Sequence, residues 1–135
     1  MKYKVAVDTN LFIATYYNPN SASAQIINMI ARGELIFVWT EAIKKEIDRI
    51  LSNIKAKQKY FNKVNAKILR PGHLVLPQVQ IEEVCEDSAD NKFLEAALAG
   101  EVDYIISSDK HLLDLKSFKN IPILTPNDFW KIIKS

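Results

Sequence analysis

Short β-prone apolar runs alternate along this chain with stretches of helical periodicity, and that alternation constrains its architecture more than any other feature. Tyr3 to Val7 reads as a strand, helix signals follow through Arg32, Leu35 to Trp39 is the next apolar run, and helical periodicity resumes at Glu41. Such patterning predicts an α/β fold with a mostly parallel sheet covered on both faces. At 135 residues the chain suits one domain, 1–135.

Local signals sharpen the outline. Ser21 to Arg32 carries Ala24, Ile27, Ile30 and Ala31 at helical spacing and stops at Gly33, a residue suited to a C-terminal cap. Thr40 is the expected N-cap of the next helix, whose Ile43, Ile47, Ile50 and Leu51 form one stripe. At about 100° per residue, Glu46 falls on the edge of that stripe, whereas Glu41 and Asp48 point away. Lys55 to Arg70, ended by Pro71-Gly72, predicts a basic helical arm at about 53–70, and His73 beside it is expected in a turn. Leu74 to Glu86 is the least regular stretch, because Pro77 interrupts apolar residues that fit a short strand. Asp87 or Ser88 is expected to cap a helix running to Ala99, which puts Asp90 in its first turn. Tyr104 to Ser107 reads as a buried strand, and Thr125-Pro126, with Asp128, opens a final helix through Ile133.

Composition narrows the class. With 48% hydrophobic and 25% charged residues the chain is an ordinary soluble protein, and no apolar run approaches the roughly 20 residues of a membrane span. Its start, Met1-Lys2-Tyr3-Lys4, runs straight into strand-like sequence, so a cytoplasmic protein without membrane association is expected. Cys85 is the single cysteine, which excludes an internal disulfide and fits a small apolar role. The net charge of +2 conceals two halves: Glu41 to Arg70 holds nine Lys or Arg against three acids, and Gln80 to Asp103 holds eight acids against Lys92 alone. That asymmetry suggests a polyanion gripped by one surface and a cation held by another, although a lysine run also serves as a solvated helix face.

Asp8, Glu46, Asp90 and Asp109 are the acids that read as one metal site. Asp8 and Asp109 directly follow apolar runs and should project from strand ends, where open α/β folds place their chemistry. Each also has a structural alternative: Asp8 as a cap for the next helix, Asp90 as a first-turn acid on the helix dipole, Glu46 as a solvated acid, Asp109 as the start of a short helix at Lys110. Four converging carboxylates would repel one another and raise their own pKa values, so convergence calls for a hard divalent cation, Mg²⁺ or Mn²⁺.

The order of these patches resembles a PIN domain. The resemblance rests on a strand followed by Asp8-Thr9-Asn10, a helix glutamate at Glu46, the helix start Asp90-Asn91-Lys92-Phe93-Leu94-Glu95-Ala96-Ala97, and Tyr104-Ile105-Ile106-Ser107-Ser108-Asp109-Lys110-His111-Leu112-Leu113. It runs over almost the whole length and is closest to VapC-like toxins that share a C-terminal Ile-Leu-Thr-Pro-Asn-Asp-Phe segment, here Ile123 to Phe129. It implies a three-layer α/β/α fold and an Mg²⁺- or Mn²⁺-dependent endoribonuclease, the toxin of a toxin-antitoxin pair. Asp8, Glu46, Asp90 and Asp109 match the acidic site, with Asn10 and Ser107 as supporting residues. Ser108 stands where relatives often have glycine. Asp87 matches a further acid of close relatives and also fits a helix cap; Asp114 and His111 are assigned to structure and surface. The partners implied are RNA, a cognate antitoxin and a second copy of the chain.

Lys55, Lys59, Lys63 and Lys67, with Lys44, Lys45 and Arg49 before them, are candidate phosphate contacts. Tyr60 and Phe61 are candidates to stack on an unpaired base, against the commoner role of such aromatics in cores and interfaces. Two other classes compete: a non-catalytic RNA-binding or scaffold protein with the same fold, and a phosphoaspartyl phosphatase or switch using Asp8. Asp8-Thr9-Asn10 lacks the second aspartate two residues on that such phosphatases need, and the presence of all four acids disfavours the scaffold.

Overall fold

The computed structural model describes residues 2–77 and 88–134, with Ser88 to Asp90 as backbone alone. The first apolar run forms β1 (Lys4–Val7), and α1 (Asn10–Tyr17) follows after two residues. The helix α2 (Ala22–Ala31) starts where the Ser21 hydroxyl accepts the Ala24 amide at 3.1 Å, and it ends before Gly33, whose φ of +78° favours a residue without a side chain. The strand β2 (Ile36–Trp39) leads into α3 (Glu41–Asn53), capped as expected by Thr40, which accepts the Ile43 amide at 3.2 Å. The predicted stripe of Ile43, Ile47, Ile50 and Leu51 is buried.

Residues 53–70 depart from one continuous helix. Lys55 takes a left-handed φ of +54° after α3, a short α4 (Gln58–Lys63) follows, and Val64–Leu69 winds into a π-helical turn. Val64, Ile68 and Leu69 are buried in the core, and the Trp39 indole donates to the Leu69 carbonyl at 2.9 Å. The segment therefore lies against the body and keeps its lysines outward. Gly72 passes so close to β2 that an added Cβ would stand 2.6 Å from the Phe37 carbonyl oxygen and 2.9 Å from that of Ile68. His73, expected in a turn, instead begins β3 (His73–Leu74), paired with Val38 and Trp39.

Beyond residue 87 the chain forms α5 (Ser88–Gly100), β4 (Tyr104–Ile106), the short α6 (Lys110–Leu113), β5 (Ser117–Phe118), β6 (Ile121–Leu124) and α7 (Pro126–Lys134). Asp128 donates its amide to Thr125 Oγ1 at 3.1 Å, the expected start of α7. Among the described residues six strands make one sheet in the order β3-β2-β1-β4-β6-β5, parallel throughout except for β5, which folds back antiparallel on β6. Helices flank the sheet, α2 packing on α1 and α7, and α5 on α3, β1 and β2. Central strands covered on both faces are apolar almost throughout, as Val5, Ala6, Val7, Phe37, Val38, Ile105 and Ile106 show. This is the α/β architecture with a mostly parallel sheet that the alternation predicts.

Candidate functional site

From β1 the chain steps outward through β2 to β3, and α5 then carries it back to β4 on the other side of β1. The strand order reverses between β1 and β4, and the crevice at the carboxyl ends of the strands on such a boundary is where open α/β sheets bind ligands. Val7 pairs with Ile106 there, so Asp8 and Ser107 leave the sheet side by side.

Asp8 is held on both oxygens. Its amide donates to the Ile106 carbonyl at 2.9 Å, its Oδ1 accepts the Asn10 amide at 3.0 Å, and its Oδ2 accepts the Ser107 hydroxyl at 2.8 Å. Ser107 is fully buried, and its oxygen also accepts the Asp109 amide at 2.9 Å. One hydroxyl thus fixes both the Asp8 carboxylate and the backbone of Asp109. Asp109 caps α6 by accepting the His111 amide at 2.8 Å, so the structural alternative for this residue is realised alongside its position in the crevice.

The electrostatics explain why this corner is unusual. Asp8 is only 4% exposed, and burial pushes its carboxyl above the usual aspartate range; the Asn10 amide and Ser107 hydroxyl oppose the rise, and the negative charges of Asp109 and Glu46 add to it. Among the described residues no lysine or arginine forms an ion pair with Asp8 or Asp109. Glu46 reaches the same neighbourhood from α3 and is clasped by Arg49, whose Nε donates at 3.2 Å to one oxygen and whose Nη2 donates to the other. The clasp escaped the sequence reading, although spacing by three residues on a helix is the signal for it.

Asp90 lies in the first turn of α5, and its side chain falls outside the described residues, as do Asp87 and Cys85. Its neighbour Asn91 is buried, and its Oδ1 has no hydrogen-bond partner among the described residues, at the head of that helix. Asn10 contributes its backbone amide while its side chain is exposed. Among the described side chains no three histidine, cysteine, aspartate or glutamate groups close around a single point as a finished metal cage does. The donor set is nevertheless all oxygen, and the buried Asp8 has no cationic partner among the described residues, which suits a hard divalent ion.

A PIN domain family model matches residues 4–111. The "Uncharacterized protein MJ1680" of Methanocaldococcus jannaschii is 32% identical over 122 residues, covering 86% of this chain and 77% of the relative. The chain belongs to the PIN domain family. That family has a nuclease-type fold, typically served by divalent metals. No helix among the described residues of this PIN domain is long and apolar enough to cross a membrane.

The remaining candidates sort by exposure. Lys55, Lys59, Lys63 and Lys67 are all solvent-facing, as are Lys45 and Arg49, and His111 and Asp114 are exposed beside α6. Tyr60 is a core-facing residue, not a free platform for a base: its hydroxyl donates to the Phe12 carbonyl at 2.7 Å, its ring packs 4.9 Å from Tyr16, and burial lifts its phenol above the ordinary range. Phe61 is likewise half-buried against the core.

Proposed function

We propose that this PIN domain is a metal-dependent endoribonuclease whose Asp8, Glu46, Asp90 and Asp109 hold Mg²⁺ or Mn²⁺ in the crevice between β1 and β4. One observation carries the reading: Asp8 is a buried carboxylate raised in pKa, close to two further acids, and without a basic partner among the described residues. A carboxyl raised by burial, with further acids near it in a crevice, is the arrangement that functional sites use. A bound divalent ion supplies an activated water and neutralises charge on a phosphodiester.

The chain's own residues do the positioning. Ser107 and the Asn10 amide fix the two Asp8 oxygens, each of which keeps a further lone pair. Ser107 also sets Asp109 through its backbone, and the exposed lysines of residues 55–67 offer phosphate contacts for RNA. The toxin role, with a cognate antitoxin and a homodimer, is supported by the likeness to VapC-like toxins along the chain.

The test is cleavage of end-labelled single-stranded RNA by wild type and Asp90→Asn in Mg²⁺, Mn²⁺ or EDTA. Cleavage is expected only for wild type with metal. Wild type that binds RNA and never cuts it would favour the scaffold reading, and cutting that survives chelation would sink the metal site. Ser107→Ala should lower Mn²⁺ affinity about 10- to 100-fold through the two acids it orients, read by isothermal titration. An unchanged affinity would remove Ser107 from the supporting set.

A further inference from the structure

Glu46 differs from the other described acids of the site in being held by a cation of the chain itself. Arg49 follows it by three residues on α3 and grips both carboxylate oxygens with a forked guanidinium, which covers the edge a divalent ion would share. The pair sits at the rim: the Arg49 side chain is 60% exposed and that of Glu46 is 21%. An ion pair of this exposure is weak enough to exchange. On the same helix Lys44 is neutralised by Asp48 at 3.1 Å, whereas Lys45, one turn before Arg49 and exposed, forms no ion pair among the described residues. Lys45 and Arg49, four residues apart, therefore present two exposed cations on one face of α3, and Arg49 is the one paired with Glu46.

We propose that Arg49 is an exchangeable occupant of the acidic site, which neutralises Glu46 when no cation is bound, releases that carboxylate to a divalent cation, and then forks a phosphate of the RNA. The inference rests on the ribonuclease reading. The exchange keeps the part-buried Glu46 from standing as an uncompensated acid near Asp8. It also requires arginine, because lysine cannot present the planar fork that matches a carboxylate and a phosphate alike.

Two measurements on wild type, Arg49→Gln and Arg49→Lys test it. The first is a Mn²⁺ titration followed by the paramagnetic resonance signal of the free ion, and the second is the steady-state kinetics of RNA cleavage. Both variants should bind Mn²⁺ about three- to fivefold tighter, the scale expected when an exposed forked pair no longer competes. For Arg49→Gln the KM for RNA should rise about fivefold to tenfold with kcat little changed, the mark of lost substrate binding, and Arg49→Lys should fall between. Tighter Mn²⁺ binding in Arg49→Gln but not in Arg49→Lys would reduce Arg49 to a distant charge and overturn the exchange. Unchanged or weaker binding in both variants would overturn it too, as would an unchanged KM. Wild type that binds no Mn²⁺ would instead remove the ribonuclease reading itself.

Discussion

Replacing Asp8 by asparagine should lower RNA cleavage about 10³-fold or more while leaving a protein that melts at a higher temperature than wild type. The two effects have one cause. Asp8 is 4% exposed, and its charge is opposed by burial and by the nearby Asp109 and Glu46. Asparagine keeps the shape, still has an oxygen to accept the Asn10 amide, and meets Ser107 with a side-chain amide, since a serine hydroxyl can accept as well as donate. It removes the charge, which a cation needs and which the fold tolerates poorly. The expected gain is about 1 kcal/mol, read by thermal melting. A variant that is both inactive and less stable would mean that hydrogen bonding, not charge, governs this position.

The pH dependence distinguishes the two explanations further. Unfolded, Asp8 titrates near the ordinary 3.8; folded, its value is higher. Between those values the folded protein binds more protons than the unfolded chain, so the free energy of unfolding falls as pH rises through that window. Wild type and Asp8→Asn should therefore have similar stability at more acid pH and separate as pH climbs, the variant becoming the more stable. Cleavage should run the opposite way, because metal binding needs the ionised acid. Parallel stability curves for the two proteins across that range would contradict the assignment.

Phe37→Ala should cost about 3–5 kcal/mol, a large part of the roughly 5–15 kcal/mol that keeps a domain folded. Phe37 is 1% exposed on β2 and meets the ring of Phe12 edge-on, with centroids 5.9 Å apart, so truncation removes an aromatic contact between the strand and α1 and opens a cavity. Its carbonyl also faces the close approach at Gly72, which limits how far the strand can collapse into the void. Urea denaturation should show the midpoint falling by about 1.5 M or more. A loss below about 1 kcal/mol would mean that the gap closes and that β2 is less tightly built than its burial indicates.

Which parts of this were legible in the sequence depended on how local their causes are. Thr40 announces α3 because a cap is a contact across three residues, and Gly33 marks a stop because its backbone demands a special φ. Asp109 as the start of a short helix was readable for the same reason. The strand order was not, since nothing in an apolar run says which neighbour it will find. Nor was α1 separable from α2, because Asn10 to Tyr17 is apolar on most sides and lacks a periodic stripe. The lysine-rich segment reads as one helix because its charge masks Val64, Ile68 and Leu69, which fasten it to the core and end α4 in a π-helical turn. Tyr60 could be placed only by its bond to the Phe12 carbonyl, 48 residues away. At the site, Asp8 and Asp109 at strand ends follow from the apolar runs before them, and the hydroxyl they share is visible only in the fold.

The bond between Asp8 and Ser107 spans 99 residues, and so does that between the Lys4 amide and Asp103. Pairing parallel strands over such distances must first meet the entropy of closing the loop between them. During synthesis, a chain halted before Tyr104 would carry Asp8 and Glu46 with neither the hydroxyl that orients the first acid nor the aspartate beside it. Assembly of the crevice is thus tied to completion of the sheet, and an unfinished chain lacks it.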